Sequence, residues 1–258
     1  MKQEGFRGTR GGFPPNRITN KGLIMKLFVD TADVKELEVC LERGFPSGVT
    51  TNPMLIARAN CTDFGGHIRS MIDALQRHDA KIPLSVEVNT TDPARMADQA
   101  EQFVREFGDY PYLNIKIPIG WNELKVIAQL ARRNVPVNCT CCMSYNQAVM
   151  AASAGAKYVS LFWGRIRDIG YDAGTIVAQT REALDRRGSD SEIIVGSIRH
   201  LVDVNEAIQA GAHIITVPPK FFPQMCAHPK TDEAVAQFMT EFRAWEQAVQ
   251  ANQLKRAA

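Results

Sequence analysis

Ala154-Gly-Ala-Lys-Tyr-Val159 and Ala210-Gly-Ala-His-Ile-Ile215 are two copies of one arrangement. Each follows a helical pattern and places Gly where a helix closes through a left-handed residue. Each then opens an apolar run of strand-forming residues. A helix handing over to a strand through such a junction is half of a βα repeat. Outward from these two junctions the same alternation continues along the chain. Strands are expected at 26–30, 48–51, 84–88, 113–117, 135–139, 158–162, 193–196 and 214–217. Between them the apolar residues fall at helical spacing. Val34, Leu37 and Leu41 share a face, with Asp33 and Glu36 reading as a capping box and Gly44 as the stop. Ser144 and Gln147 repeat that device, and Thr91-Asp92-Pro93 opens another helix with Pro in its first turn.

Eight strands separated by helices within one domain predict an α/β fold, a single (β/α)8 TIM barrel over 25–258. A last helix is expected from about 231. No Gly-x-Gly-x-x-Gly follows the first strand, so a dinucleotide site has no support.

At 258 residues, with 45% hydrophobic and 22% charged residues and a mean hydropathy of −0.18, the chain reads as an ordinary globular protein. Residues 1–25 hold Lys2, Arg7, Arg10, Arg17 and Lys21 against Glu4, a local charge of +4. The whole chain carries +2, so the remainder carries −2 and offers no basic face for nucleic acid. Residues 1–24 lack the apolar core of a signal peptide and read as a disordered arm or an expression remnant ahead of Met25-Lys26-Leu27. No segment has the apolar length of a membrane span. Six cysteines without a secretion signal point to reduced thiols and a cytoplasmic location. Cys139, Cys141 and Cys142 lack the spacing of a metal site and read as small buried hydrophobes, so no metal is expected.

Leu113-Asn-Ile-Lys-Ile-Pro118 carries the chemistry. Its alternating apolar residues describe a buried strand about to end, with Lys116 inside it. Burial disfavours an ammonium, and a neutral amine at a strand end suits imine formation with a carbonyl. A lysine that only snorkels to solvent is the simpler reading of that residue alone. The other strand ends shift the balance, because catalytic groups of such barrels gather at the C-terminal ends of the strands. Those ends bring Asp30, Thr50, Asn52, Glu87, Asn138, Thr140, Ser160, Phe162, Arg165, Ser197 and Arg199.

Several segments in this order resemble the transaldolase family. They are Phe-Val-Asp-Thr-Ala-Asp (28–33), Gly-Val-Thr-Thr-Asn-Pro (48–53), Ser-Val-Glu-Val (85–88), Ile-Lys-Ile-Pro (115–118), Gly-Arg-Ile (164–166) and Gly-Ser-Ile-Arg (196–199). The chain is most similar to the short members, a group that includes fructose-6-phosphate aldolase. The resemblance implies a Schiff base on Lys116, proton transfer by Asp30, and a proton-shuttling water held by Glu87 and Thr140. It implies that Asn52, Asn138 and Ser160 hold a dihydroxyacetone unit, with Thr50 and Phe162 also on the substrate side. Arg165, Ser197 and Arg199 would take a phosphate, a role two arginines suit through bidentate bonds. The implied substrates are sugar phosphates, and no cofactor is implied.

Within the family, the aldolase branch tends to carry Gln where this chain has Glu87 and Tyr where it has Phe162. Asn138 also looks like the transferase pattern. The expected reaction is therefore transfer of the dihydroxyacetone unit to an aldehyde. The alternatives are an aldolase that releases free dihydroxyacetone and a non-catalytic sugar-phosphate-binding barrel. A phosphosugar isomerase or epimerase barrel is a third reading, and it would not need the buried lysine. Met54, Leu161, Trp163 and Arg167 depart from the family pattern, the last three beside the expected phosphate arginines. Val235, Phe238, Phe242, Trp245 and Val249 form a helical stripe. That spacing fits a helix packed on its own barrel. The resemblance implies instead a homo-oligomeric ring, a pentamer or decamer, with the stripe on a neighbour.

Overall fold

A computed structural model describes residues 25–257 of the chain; the expected N-terminal arm, 1–24, lies outside the described residues. The strands are β1 (Lys26–Asp30), β2 (Val49–Thr50), β3 (Leu84–Glu87), β4 (Leu113–Pro118), β5 (Val137–Cys142), β6 (Tyr158–Phe162), β7 (Glu192–Gly196) and β8 (Ile214–Val217). They form a closed barrel in sequence order, every pair parallel, with β1 closing against β8. This is the expected (β/α)8 architecture.

Strand alternation divides the apolar residues between two cores. Val86, Ile115, Ile117, Val159, Ile193, Val195 and Ile215 point outward and are fully buried under the helices. Inside the barrel, Phe28, Tyr158, Ile194 and Ile214 plug one end, with the Phe28 and Tyr158 rings edge to face at 6.1 Å. Gly48 makes the plug possible, because a Cβ there would lie 2.4 Å from the Phe28 ring. Above this plug the interior turns polar with Thr50, Ser85, Lys116, Asn138, Ser160 and Thr216, all buried.

The expected junctions hold: Gly155 and Gly211 adopt φ of +95° and +89° before β6 and β8. Asp33 caps the first helix by accepting from the N–H groups of Lys35 and Glu36. The return arm of that expected capping box is absent, because the Glu36 carboxylate is taken by the Thr31 hydroxyl at 2.8 Å. Likewise Ser144 accepts from the Gln147 N–H, but the Gln147 side chain reaches past it to the Met143 N–H at 2.7 Å.

The main correction concerns β5, expected at 135–139. Val135 still belongs to the close of the preceding helix, its N–H donating to Leu130 O at 3.0 Å. At its other end the strand continues through a bulge: Cys139 pairs with Val159 and Cys142 with Leu161, and Cys141 sits at φ +61°. Cys139 and Cys142 are buried as expected, but the bulge leaves Cys141 half-buried, and all are free thiols.

The C-terminal helix, Pro229–Ala257, has 29 residues and is about 43 Å long. Its stripe is uncovered, with Phe238 66% and Trp245 59% exposed, which corrects the reading of a helix seated on its own barrel. No helix of the described residues is long and apolar enough to cross a membrane.

His213, just before β8, ties two strands together. Its Nδ1 accepts the Ile193 N–H at 3.0 Å, which requires an unprotonated nitrogen. Burial, helped by Arg181, pushes its pKa down from 6.5 to about 4. The unfolded chain therefore binds a proton more readily than the fold, so stability present above pH 6.5 is lost as pH falls towards 4. Urea unfolding between these limits is expected to show a steeper loss for the native protein than for His213→Gln. Equal slopes would show that His213 binds its proton equally well in the folded and unfolded chain.

Candidate active site

Lys116 projects into the barrel from β4 because its neighbours Ile115 and Ile117 occupy the outward face. It is 4% exposed. The register sets Glu87 of β3 beside it on one side and Asn138 of β5 on the other. The Lys116 Nζ lies 3.0 Å from Glu87 Oε2 and donates to the Thr51 carbonyl at 2.8 Å. Both partners are available only because β2 and β3 end at this height. Beside them Thr51, Glu87, Asn52, Ile56 and Phe64 line a cavity of about 150 Å³.

Asp30 ends β1 on the same rim. Its Oδ1 accepts from the Thr50 hydroxyl at 2.7 Å. Burial raises its pKa; Lys116 and the Thr50 hydroxyl oppose the rise, and Glu87 adds to it. A carboxyl whose pKa is raised by burial holds a proton more readily than an exposed one. Asn138 of β5 links β3 and β6 inside the barrel, donating to Ser85 Oγ at 3.1 Å and accepting from the Ser160 hydroxyl at 2.7 Å. Thr140 also faces inward, and its buried Oγ1 has no hydrogen-bond partner among the described residues. An unpartnered buried hydroxyl costs about 1–3 kcal/mol, so the site has a reason to recruit one. Asn52 caps the helix Pro53–Arg58 by accepting the Leu55 N–H at 3.0 Å, so its carbonyl oxygen is already engaged.

The cationic end of the site follows β6 and β7. Ser197 sits at φ +59°, a conformation uncommon for a residue with a side chain. Its carbonyl accepts the Gly164 N–H at 3.1 Å. A Cβ at Gly164 would stand 2.5 Å from that carbonyl and 2.7 Å from Arg199 Nε, so only glycine allows the two loops to meet. Asp203 accepts the N–H groups of Arg199 and His200, each at 2.9 Å, and fixes the second loop. Arg165 is exposed, its guanidinium 6.0 Å from the Phe162 ring. The two terminal nitrogens of Arg199 clasp the Asp168 carboxylate, which lowers the Asp168 pKa.

The structure thus gathers the expected residues on one face, but unequally. Lys116 and Glu87 touch, Asp30 and Thr50 touch, and Asn138 and Ser160 touch. Arg199 is occupied by Asp168, a partner that sequence reasoning did not assign. Of the departures from the family pattern, Leu161 and Trp163 are core residues and Met54 is 49% exposed. Arg167 is held by Asp203 at 2.8 Å and Glu206 at 3.3 Å, so its charge is spent on structure. Ser85 and Thr216 were also missed, although period-two alternation with Glu87 and with Ile214 marks both as inward. Thr51 contributes through its backbone, which no side-chain pattern reveals. Among the described residues, no group of three or more His, Cys, Asp or Glu could hold a metal ion.

The sequence that builds this site is similar to those of known proteins. The family model described as Transaldolase/Fructose-6-phosphate aldolase matches residues 27–257. A protein of Dehalococcoides mccartyi named "Probable transaldolase" is 36% identical over 220 residues, 85% of this chain and 99% of its own length. One of the same name from Symbiobacterium thermophilum is 39% identical over 85% of this chain and 98% of its own. A third, from Brevibacillus brevis, is 37% identical over 84% of this chain and 98% of its own. A barrel with its lysine and carboxylates at one rim, matched along nearly its whole length, belongs to the transaldolase/fructose-6-phosphate aldolase family.

Proposed function

We propose that the protein transfers a dihydroxyacetone unit from a ketose phosphate to an aldehyde through a Schiff base on Lys116. The observation that carries this reading is a buried lysine ion-paired with a carboxylate and hydrogen-bonded to a carbonyl at the mouth of the barrel. Glu87 is placed to take the proton that Lys116 must lose before its amine attacks the ketone. Loss of water from the adduct leaves a protonated imine. Asp30 then removes the proton of the hydroxyl next to the scissile bond, that carbon–carbon bond breaks, and an aldehyde leaves. The electron pair moves onto the imine and is stored as an enamine. Attack of the enamine on an acceptor aldehyde forms the new bond, and Asp30 returns its proton. Water then releases the product ketose and restores Lys116. Glu87 and the unpartnered Thr140 hydroxyl suit the water that relays protons while the imine forms and breaks. Asn52, Asn138 and Ser160 would hold the dihydroxyacetone hydroxyls.

Arg165, Ser197 and Arg199 form the proposed phosphate end, where the phosphate would share or displace Asp168 on Arg199. The exposed stripe of the C-terminal helix suits contact with a second copy in a ring. The free thiols fit a cytoplasmic location.

Borohydride added with a ketose phosphate is expected to fix a mass on the peptide containing Lys116, and Lys116→Met to abolish adduct and turnover in a folded protein. An adduct on Lys125 or Lys157 would sink the assignment.

Arg199→Ala is expected to raise KM for a phosphorylated donor by roughly tenfold or more, the equivalent of about 1.5–3 kcal/mol for a charge-assisted contact. Unphosphorylated dihydroxyacetone should be affected much less, and equal losses on both would remove Arg199 from phosphate binding.

Transfer and simple cleavage differ in what ends the enamine. Phe162 brings no hydroxyl to orient a second water, so the enamine should wait for an aldehyde. Fructose 6-phosphate alone is expected to react slowly, and an aldehyde acceptor to accelerate donor consumption many-fold. Phe162→Tyr should shift the products towards free dihydroxyacetone. Equal rates with and without every acceptor of a broad panel would identify an aldolase.

A further inference from the structure

Three strands contribute to one line of hydrogen bonds beneath the carboxyl of Asp30. Thr216 of β8 lies with its Oγ1 2.6 Å from Thr50 Oγ1 of β2, and Thr50 Oγ1 lies 2.7 Å from Asp30 Oδ1 of β1. Both threonines are buried, Thr50 2% and Thr216 5% exposed. The Thr216 methyl faces Gly196 of β7, where a Cβ would stand 3.3 Å from Cγ2. That contact turns the hydroxyl of Thr216 towards Thr50.

A hydroxyl has one proton to give, so the line can be polarised in only two ways. In the first, Thr216 donates to Thr50 and Thr50 donates to Asp30 Oδ1, which accepts more strongly in a carboxylate than in an acid protonated on Oδ2, and both hydroxyl protons have an acceptor. In the second, Asp30 carries a proton on Oδ1 and donates to Thr50, and Thr50 donates to Thr216. The Thr216 proton then has no acceptor, since Thr50 is its only hydrogen-bond partner among the described residues. A buried donor left unmatched is unfavourable, and the first arrangement prevails.

We propose that Thr216 is a positioning residue: by donating to Thr50 it commits the single Thr50 proton to Asp30 and holds that carboxyl ready to act as a base. The inference rests on the role of Asp30 proposed above. Burial and Glu87 of β3 work against the ionised form, and Lys116 of β4 works with it. The two hydroxyls add directional support that a distant charge does not supply. They also leave Oδ2 of Asp30, which has no hydrogen-bond partner among the described residues, as the oxygen that meets substrate.

The full-length protein labelled with carbon-13 aspartate allows the Asp30 carboxyl to be titrated by NMR, its signal identified by loss in Asp30→Asn. Thr216→Val keeps the shape and removes the donor, and Thr216→Ala serves if the valine protein fails to fold. The Asp30 midpoint is expected to rise by about half a pH unit or more in either variant, in line with the loss of one supporting hydrogen bond. Thr216→Ser is expected to restore it. The acidic limb of kcat/KM for donor consumption should move upward with the NMR midpoint. A midpoint unmoved in the folded valine or alanine protein would overturn the proposal. So would a serine protein that stays shifted with valine, because Thr216 would then act through packing. A shifted midpoint in a protein that forms no lysine adduct would support the relay and overturn the transaldolase reading instead.

Discussion

An amine inside a closed parallel barrel is the constraint around which the rest of the structure is organised. At 4% exposure Lys116 has little water around it, and its Nζ has Glu87 and the Thr51 carbonyl in place of a hydration shell. An isolated buried ammonium is costly, while one that is paired and hydrogen-bonded persists and can give its proton to its partner. The site therefore needs β2 and β3 to end at the height of β4, and barrel closure in sequence order delivers this. The same closure explains why the apolar plug of Phe28, Tyr158, Ile194 and Ile214 stands at the other end of the interior. It fills that end of the barrel, and the polar layer lies above it.

The two ends of the site are built by different physics. Around Lys116 and Asp30 the groups are buried, their bonds lie within the barrel, and burial and nearby charges act strongly on Asp30. Around Arg165 and Arg199 the groups are exposed, and the Arg199–Asp168 pair, at 46% and 47% exposure, contributes little stability. Such a pair is held loosely in water, whereas the Lys116–Glu87 pair is buried. Gly164 and the left-handed Ser197 let the loops after β6 and β7 meet, which sets the cationic end at the barrel mouth.

Much of this was legible in the sequence because alternation is a local property. The strand ends placed Lys116, Glu87, Asn138, Thr140 and Ser160 at one rim, and the helix-closing Gly155 and Gly211 marked where strands begin. The extent of β5 was not legible, since a bulge adds a residue without changing composition. Nor was the escape of Glu36 and Gln147 from their expected capping partners, because Thr31 and the Met143 N–H compete for them only once the loops are folded.

By itself the sequence determined the number and order of the strands, the polar residues at their ends, and the segments that place the chain in its family. These follow from residue preferences over a few positions, and they survive any uncertainty about distance. Only the tertiary structure decided which inward residues touch. It joined Asp30 to Thr50 and Thr216 across three strands, gave Lys116 the Thr51 carbonyl, and tied Arg199 to Asp168 and Arg167 to Asp203. It also left the stripe of the last helix uncovered, which the spacing of Phe238, Phe242 and Trp245 could not settle. The reason is physical: periodicity fixes direction from the backbone, while contact depends on the stagger of strands distant in sequence.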